Sequence, residues 1–166
     1  MMKLKSGTLA TLALVALTIG LFSLALATSV AAQSAPPIRG CQKVQGNLSV
    51  VNNGDGTTSG TITQGGRLNG ITQAAFTSTF TPTPDPTTVS FTDDLTLTNN
   101  KGVLKTHNVG IFDLATGLFS AINRIDPNTS TGGFAGATGV LYINGKTTDG
   151  GMTFQAEITG EICFAN

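Results

Sequence analysis

Turn-forming clusters recur along this chain at short, regular intervals, and this spacing constrains the fold more than any other feature of the sequence. Seven clusters rich in glycine, proline, asparagine and aspartate begin near residues 52, 64, 82, 99, 113, 126 and 144. The segments between them have the length of strands, and none has the pattern of an amphipathic helix. The sequence therefore predicts an all-β protein of eight antiparallel strands.

The predicted strands alternate apolar and polar side chains, as strands with one buried face do. In the last strand Phe154, Ile158 and Ile162 share one face, and Glu157 and Glu161 share the other. The two glutamates would act as an acid and base pair only if their face lined a lumen. Short strands with hairpin-length connections are typical of an up-and-down barrel or a sandwich. The predicted strands cover residues 42–51, 57–63, 68–80, 87–98, 103–112, 118–125, 134–143 and 152–164.

The two cysteines favour the barrel. Cys41 and Cys163 each fall in phase with the polar face of their strand. An even number of cysteines in an exported protein indicates a disulfide, which needs Cα atoms roughly 4.4–6.8 Å apart. The first and last strands are therefore predicted to be neighbours, as closure of an eight-stranded meander requires. Two buried free thiols are the alternative.

The first residues have the pattern of an export signal. Lys3 and Lys5 precede an apolar run over residues 9–27, and a cut is predicted after Ala32. This favours a secreted or periplasmic protein. An uncleaved membrane anchor, which would be the chain's contact with a membrane, is the alternative. The predicted domains are a signal peptide over residues 1–32, an extended lead-in over 33–40 and a barrel domain over 41–166.

The charges argue against several classes of function. Without Lys3 and Lys5 the basic residues fall from nine to seven against nine acidic ones, and no basic run follows Gln33. Nucleic acid is therefore not a predicted partner. A single histidine rules out a histidine cluster for a metal, so neither a metal nor a cofactor is predicted. A serine hydrolase is disfavoured because the Gly-x-Ser-x-Gly turn is absent.

Four segments of the second half resemble, in order and spacing, the barrel shared by plant allene oxide cyclases and dirigent proteins, especially its bacterial allene-oxide-cyclase-like relatives. The most specific is the signature turn, which runs from Gly133 through Phe134, Gly136 and Thr138 to Gly139 and is expected to form a corner of the barrel. The others are Val109-Gly110-Ile111-Phe112-Asp113, Thr116-Gly117-Leu118-Phe119 and Gly160-Glu161-Ile162-Cys163.

The chain on either side of the signature turn carries two further expectations. Residues 127–133 depart from the family's pattern, so the shape of this loop is not carried over. After the turn, a strand is predicted with Leu141 and Ile143 on one face, and Asn144-Gly145 is predicted to reverse the chain.

The resemblance implies an eight-stranded barrel with a cavity, and homo-oligomers are expected because the plant members often form them. Cyclases of this kind close an unstable fatty-acid epoxide, whereas dirigent proteins steer the radical coupling of phenols. No catalytic residue is carried over, because the pocket residues of neither group have a counterpart that can be placed in this chain.

Three side chains are candidates for lining the cavity: His107, Arg124 and Tyr142. His107 shares a strand face with Lys105, Val109 and Ile111, and a position on the surface is favoured for it over one in the cavity. The favoured function is the binding of a small apolar molecule in the lumen, because a closed barrel of this size can hold one ligand. The alternatives are an allene-oxide-cyclase-like isomerase, a dirigent-type protein that directs stereochemistry, and a secreted barrel that binds a partner protein.

Overall fold

The computed structural model describes residues 38–165, which form a ten-stranded antiparallel sheet. A short 3-10 turn, Gly66–Leu68, interrupts the strands. Within residues 38–165, no helix is both long enough and apolar enough to cross a membrane. The strands are β1 (Ile38–Asn52), β2 (Thr57–Thr63), β3 (Gly70–Phe76), β4 (Thr81–Pro82), β5 (Thr88–Asn99), β6 (Gly102–Asp113), β7 (Leu118–Ile125), β8 (Thr131–Gly132), β9 (Thr138–Lys146) and β10 (Thr153–Ala165).

Eight of these strands close into a barrel, which confirms the predicted fold. Strands β1, β2, β3, β5, β6, β7, β9 and β10 pair in that order, and β10 pairs back with β1. The two-residue strands β4 and β8 pair with β5 and β6 beside this circuit. Each strand of the barrel therefore lies between its neighbours in sequence, as in an up-and-down meander.

The predicted disulfide joins Cys41 and Cys163. The two residues lie directly opposite each other in the ladder of β1 and β10, and their Cα atoms are 3.9 Å apart. The bond closes a loop with a sequence separation of 122 residues. In the chain-entropy model a loop of this length contributes about 4–5 kcal/mol. The disulfide is compatible with an extracellular or periplasmic protein.

Two predicted boundaries near β9 are wrong. The strand begins at Thr138 rather than near Phe134, because Gly136 has a φ of 67° and the chain turns there. The strand also continues through Asn144 and Gly145, which pair with β10, so these residues do not reverse the chain. The reversal comes after Lys146, where the Asp149 carboxylate accepts hydrogen bonds from the Met152 and Thr153 backbone N–H groups.

At the start of the barrel, β1 already includes Ile38–Gly40, so the predicted lead-in ends before Ile38. The predicted signal peptide over residues 1–32 and most of the lead-in lie outside the described residues.

The barrel is filled at the end where β1 starts and β10 ends. Phe134 and Leu68, from two loops at this end, are completely buried among inward side chains of the strands. Arg67 lies over the ring of Phe164, with its guanidinium carbon 4.1 Å from the ring centroid. We call this the closed half. The strand residues that fill it include Leu97, Leu104, Ile125, Leu141, Ile158 and Ile162.

Candidate functional site

A cavity of about 230 Å³ occupies the other half of the barrel, which we call the open half. It opens at the end opposite Phe134, where Phe80, Gly150 and Gly151 line it. Inward positions of the neighbouring strands carry small side chains here, including Ala74 and Ala121. The cavity therefore exists because a regular barrel wall carries small residues where the closed half carries leucine and isoleucine.

Two groups of phenylalanine rings line the rim of the cavity. Their ring centroids lie 5.2–6.3 Å apart, within the range of favourable aromatic pairs. One group is Phe76, Phe80 and Phe91, and the other is Phe112, Phe119 and Phe154.

Glycines on neighbouring strands make room for two of these rings. Phe91 lies opposite Gly110, and Phe119 lies opposite Gly145. A Cβ atom at Gly145 would lie 2.6 Å from the Phe119 ring, and one at Gly110 would lie 2.7 Å from Cε1 of Phe91. A side chain at either glycine would therefore displace a ring from the wall.

Polar side chains form the floor of the cavity. Asp93, Asn108 and Asn123 lie directly opposite one another on the adjacent strands β5, β6 and β7, and all three are buried. Asn108 Nδ2 donates a hydrogen bond to Asp93 Oδ1 at 2.6 Å. Thr106 Oγ1 in turn donates to Asn108 Oδ1 at 2.7 Å. Below this polar floor the barrel is filled by the closed half.

Asp93 is a carboxyl group in an apolar environment. Phe91 and Leu95 flank it on its own strand, and Phe76 lies opposite it on β3. Burial raises the pKa of Asp93 to about 6, and repulsion from Asp94 adds to this, while the hydrogen bond from Asn108 opposes it. Asp93 therefore changes charge close to neutral pH, as groups at functional sites often do.

The three candidate side chains for the cavity lie instead on the outer surface of the barrel. His107, Arg124 and Tyr142 are exposed, and none of them lines the cavity. Each is one residue away from an inward position, because successive side chains of a strand point to opposite faces. Tyr142 lies in an outer apolar row with Val109 and Ile122. The surface position favoured for His107 is therefore correct.

His107 is tied to acidic groups on the surface. Its Nδ1 lies 2.7 Å from Asp94 Oδ1, and its Nε2 lies 3.6 Å from Asp126 Oδ2. The hydrogen bond with Asp94 is the main cause that raises the pKa of His107. Glu157 and Glu161 are likewise exposed on the outer face of β10, so they are not a lumen acid and base pair.

The signature turn lies at the closed half rather than at the cavity. Gly133 donates its backbone N–H to Lys101 O at 2.6 Å, and Phe134 inserts into the core. Gly136 supplies the left-handed turn, and Thr138 and Gly139 begin β9. The turn therefore seals one end of the barrel and does not contact the cavity.

The sequence carries a signal for the cavity floor that alternation of apolar residues alone does not reveal. Asp93 falls in phase with Phe91 and Leu95, so a carboxylate stands on the apolar face of β5. In the same way Asn123 falls in phase with Ala121 and Ile125. A polar side chain on the buried face of an alternating strand is the pattern that could have identified both.

The fold and the site together define a small, disulfide-bonded β-barrel with a cavity that is open to solvent and lined by phenylalanine. No protein-family model matches this chain, and no curated protein matches it significantly. The resemblance to allene oxide cyclases and dirigent proteins therefore depends on the four segments of the sequence alone and stays a prediction.

Proposed function

We propose that this protein is exported and binds a small apolar molecule in the open half of its barrel. The observation that carries the proposal is the cavity of about 230 Å³, with apolar walls, a phenylalanine rim and a polar floor. Binding sites for small molecules have this composition, with mostly apolar walls and a few polar groups. An apolar cavity of roughly 150 Å³ accommodates benzene. The present cavity therefore suits a single ring with a short side chain.

Export is supported by two independent features. The pattern of residues 1–32 is that of a signal peptide, and the disulfide between Cys41 and Cys163 is of a kind that persists in oxidising compartments. We therefore propose a secreted or periplasmic location, where the ligand would be taken from outside the cytoplasm.

Filling the cavity tests the proposal. Isothermal titration calorimetry with ethylbenzene should show one molecule bound per barrel in the wild type and none in the Ala121→Phe variant, because this side chain points into the cavity. The matched control is Ile122→Phe, one residue along β7 on the outer face, which should bind as the wild type does. Ala121→Leu is a smaller filling variant if the larger one folds poorly. Equal binding to the wild type and the filled variants, or failure of the wild type to bind either ethylbenzene or its polar analogues such as 2-phenylethylamine, would overturn the proposal.

A second candidate function is an isomerase of the allene-oxide-cyclase kind. It is favoured by Asp93, whose pKa of about 6 in an apolar cavity suits a general acid or base. The test is the product distribution from an unstable fatty-acid epoxide, measured with the wild type, Asp93→Asn and Asp94→Asn. An enzyme should change the distribution, and should lose this effect in Asp93→Asn but not in Asp94→Asn. A distribution equal to that in buffer would discard this candidate.

A further inference from the structure

The hydrogen-bonding groups that remain free at the cavity floor are mostly acceptors. Asn123 Nδ2 donates to two backbone carbonyl oxygens, Ala121 O at 3.2 Å and Leu141 O at 3.3 Å. These two contacts fix the orientation of the amide, because the opposite orientation would place its oxygen against both carbonyls. Asn123 Oδ1 is consequently left without a hydrogen-bond partner, although Asn123 is completely buried.

An unpaired buried oxygen of this kind is costly and uncommon in folded proteins. Oδ1 is enclosed by protein atoms, so a molecule in the cavity does not contact it. The group at the floor that a ligand can contact is Asp93.

Asp93 supplies a free acceptor at the cavity and a negative charge. Asn108 occupies Oδ1 of Asp93, which leaves Oδ2 able to accept a further hydrogen bond. Asp93 is also the one charged residue among those described as lining the cavity, and no lysine or arginine faces it there. A buried carboxylate without a cation is unfavourable, and an added positive charge beside it would offset the loss of solvation.

We propose that the cavity selects a small apolar amine, bound in its protonated form, with its ammonium group donating to Asp93. This inference rests on the proposed function, because it specifies the ligand of the same cavity. An ammonium group only donates hydrogen bonds, and its positive charge can pair with the carboxylate of Asp93. A carboxylate ligand would meet Asp93 with like charge, and a hydrocarbon would leave the Asp93 carboxylate unpaired.

The test compares four probes of nearly equal shape by calorimetry at pH 7.5, with the protein purified from its own host in the form that the host makes. The probes are 2-phenylethylamine, 2-phenylethanol, 3-phenylpropanoate and ethylbenzene. The amine should bind at least tenfold more tightly than the alcohol and the hydrocarbon, and the carboxylate should bind most weakly. If ethylbenzene binds and the amine binds no better, this inference fails while the proposed function stands. If none of the four binds, the proposed function fails with it.

Two variants assign the effect to the cavity floor. Asp93→Asn should lower the affinity for 2-phenylethylamine tenfold or more and change that for ethylbenzene by less than twofold. Asp94→Asn is the matched control, since it removes the neighbouring carboxylate on the outer face and should retain the preference for the amine. Unchanged amine affinity in Asp93→Asn would overturn the inference.

The pH dependence of binding to the wild type tests the role of Asp93 without a substitution. As the pH falls from 7.5 to 5, Asp93 takes up a proton, so the amine should lose affinity while 2-phenylethanol keeps it. The groups that face Asp93 from the neighbouring strands are Phe76 and Asn108, which do not titrate in this range. Asp94 is the other charge that acts on it, and the Asp94→Asn variant tests that contribution. Equal pH dependence of the two probes would contradict the inference.

Discussion

The closed and open halves of the barrel are built from the same strands but are packed differently. In the closed half the inward positions carry leucine and isoleucine, and Phe134 enters from a loop to fill the remaining space. In the open half the inward positions of β3, β6 and β7 include Ala74, Gly110 and Ala121, and large rings stand only near the rim. The cavity therefore results from the size of side chains on a regular wall.

This difference predicts a division of tasks. Burial of apolar area stabilises a fold by about 25 cal/mol per Å², so the filled half should supply most of the stability. The unfilled half gives up part of that stabilisation and should supply ligand binding. Substitutions at the two ends should accordingly affect different measurements.

The largest effect is expected from the loop residue that seals the closed half. Phe134→Ala should lower the free energy of unfolding by about 3–5 kcal/mol, because it leaves a cavity among completely buried side chains. Urea denaturation measures this. Phe80→Ala, at the rim, is the comparison: Phe80 is 49% exposed, and its loss should cost about 1 kcal/mol or less while weakening ligand binding. Equal losses of stability would contradict the division between the halves.

Removing the disulfide should have the next largest effect. The double variant Cys41→Ser and Cys163→Ser should lose about 2–5 kcal/mol, because the bond constrains almost the whole unfolded barrel. The expected decrease should also appear when the wild type is unfolded in the presence of a reductant, and the double variant should not respond to the reductant. A wild type that is equally stable with and without the reductant would show that the bond contributes nothing.

Asp93, in the open half, should lower the stability of the folded protein above pH 6. Between about pH 4 and pH 6 the carboxyl is ionised in the unfolded chain but protonated in the barrel, so the folded state binds more protons and stability falls as the pH rises. Asp93 should therefore lower the free energy of unfolding by about 2–3 kcal/mol at pH 8. Asp93→Asn should therefore be more stable than the wild type at pH 8, and the difference should vanish near pH 4.

The control for this pH dependence is again Asp94→Asn, which should retain most of the fall in stability between pH 4 and pH 6, because burial of Asp93 is the larger cause of its raised pKa and the repulsion from Asp94 is the smaller. A stability difference between Asp93→Asn and the wild type that does not change with pH would contradict the raised pKa of Asp93. A gain in stability together with a loss of amine binding would show that the carboxylate is retained for its function.

The smallest of these effects concerns the side chain that covers the closed end. Arg67→Ala should cost about 1 kcal/mol, because the guanidinium lies over the Phe164 ring and its Nη2 donates to Gly133 O at 3.4 Å. Arg124→Ala removes an arginine on the outer surface and should change stability by about 0.5 kcal/mol or less. Thermal unfolding of both variants makes the comparison, and an equal effect would show that the arginine over Phe164 has no special role.

Much of the fold was predictable because the signals are local. Turn clusters separate the strands, and the alternation in β5 and β10 identifies their inner faces. The cysteines, placed at opposite ends of the chain, then required the first and last strands to be neighbours, as the structure confirms. The start of β9 was placed too early, at Phe134, because the glycine-rich turn runs directly into the strand and the sequence does not mark where one ends and the other begins.

The residues that line the cavity were not predicted, because burial and hydrophobicity separate in the strand that forms its wall. On β6 the apolar residues Val109 and Ile111 are exposed, whereas Asn108 and Gly110 are buried. His107 became a candidate for the lumen because it shares a face with those apolar residues. A strand that lines a cavity needs small and polar side chains on its inner face, so its pattern is the reverse of a core strand.

Native mass spectrometry shows whether the cavity holds a ligand. The protein would be purified from its own host as the wild type, Ala121→Phe and Ile122→Phe. One small molecule should be bound per barrel in the wild type and in Ile122→Phe, and none in Ala121→Phe. A molecule carried equally by all three would lie outside the cavity, and a wild type that is empty and also fails to bind both ethylbenzene and 2-phenylethylamine would contradict the proposed function.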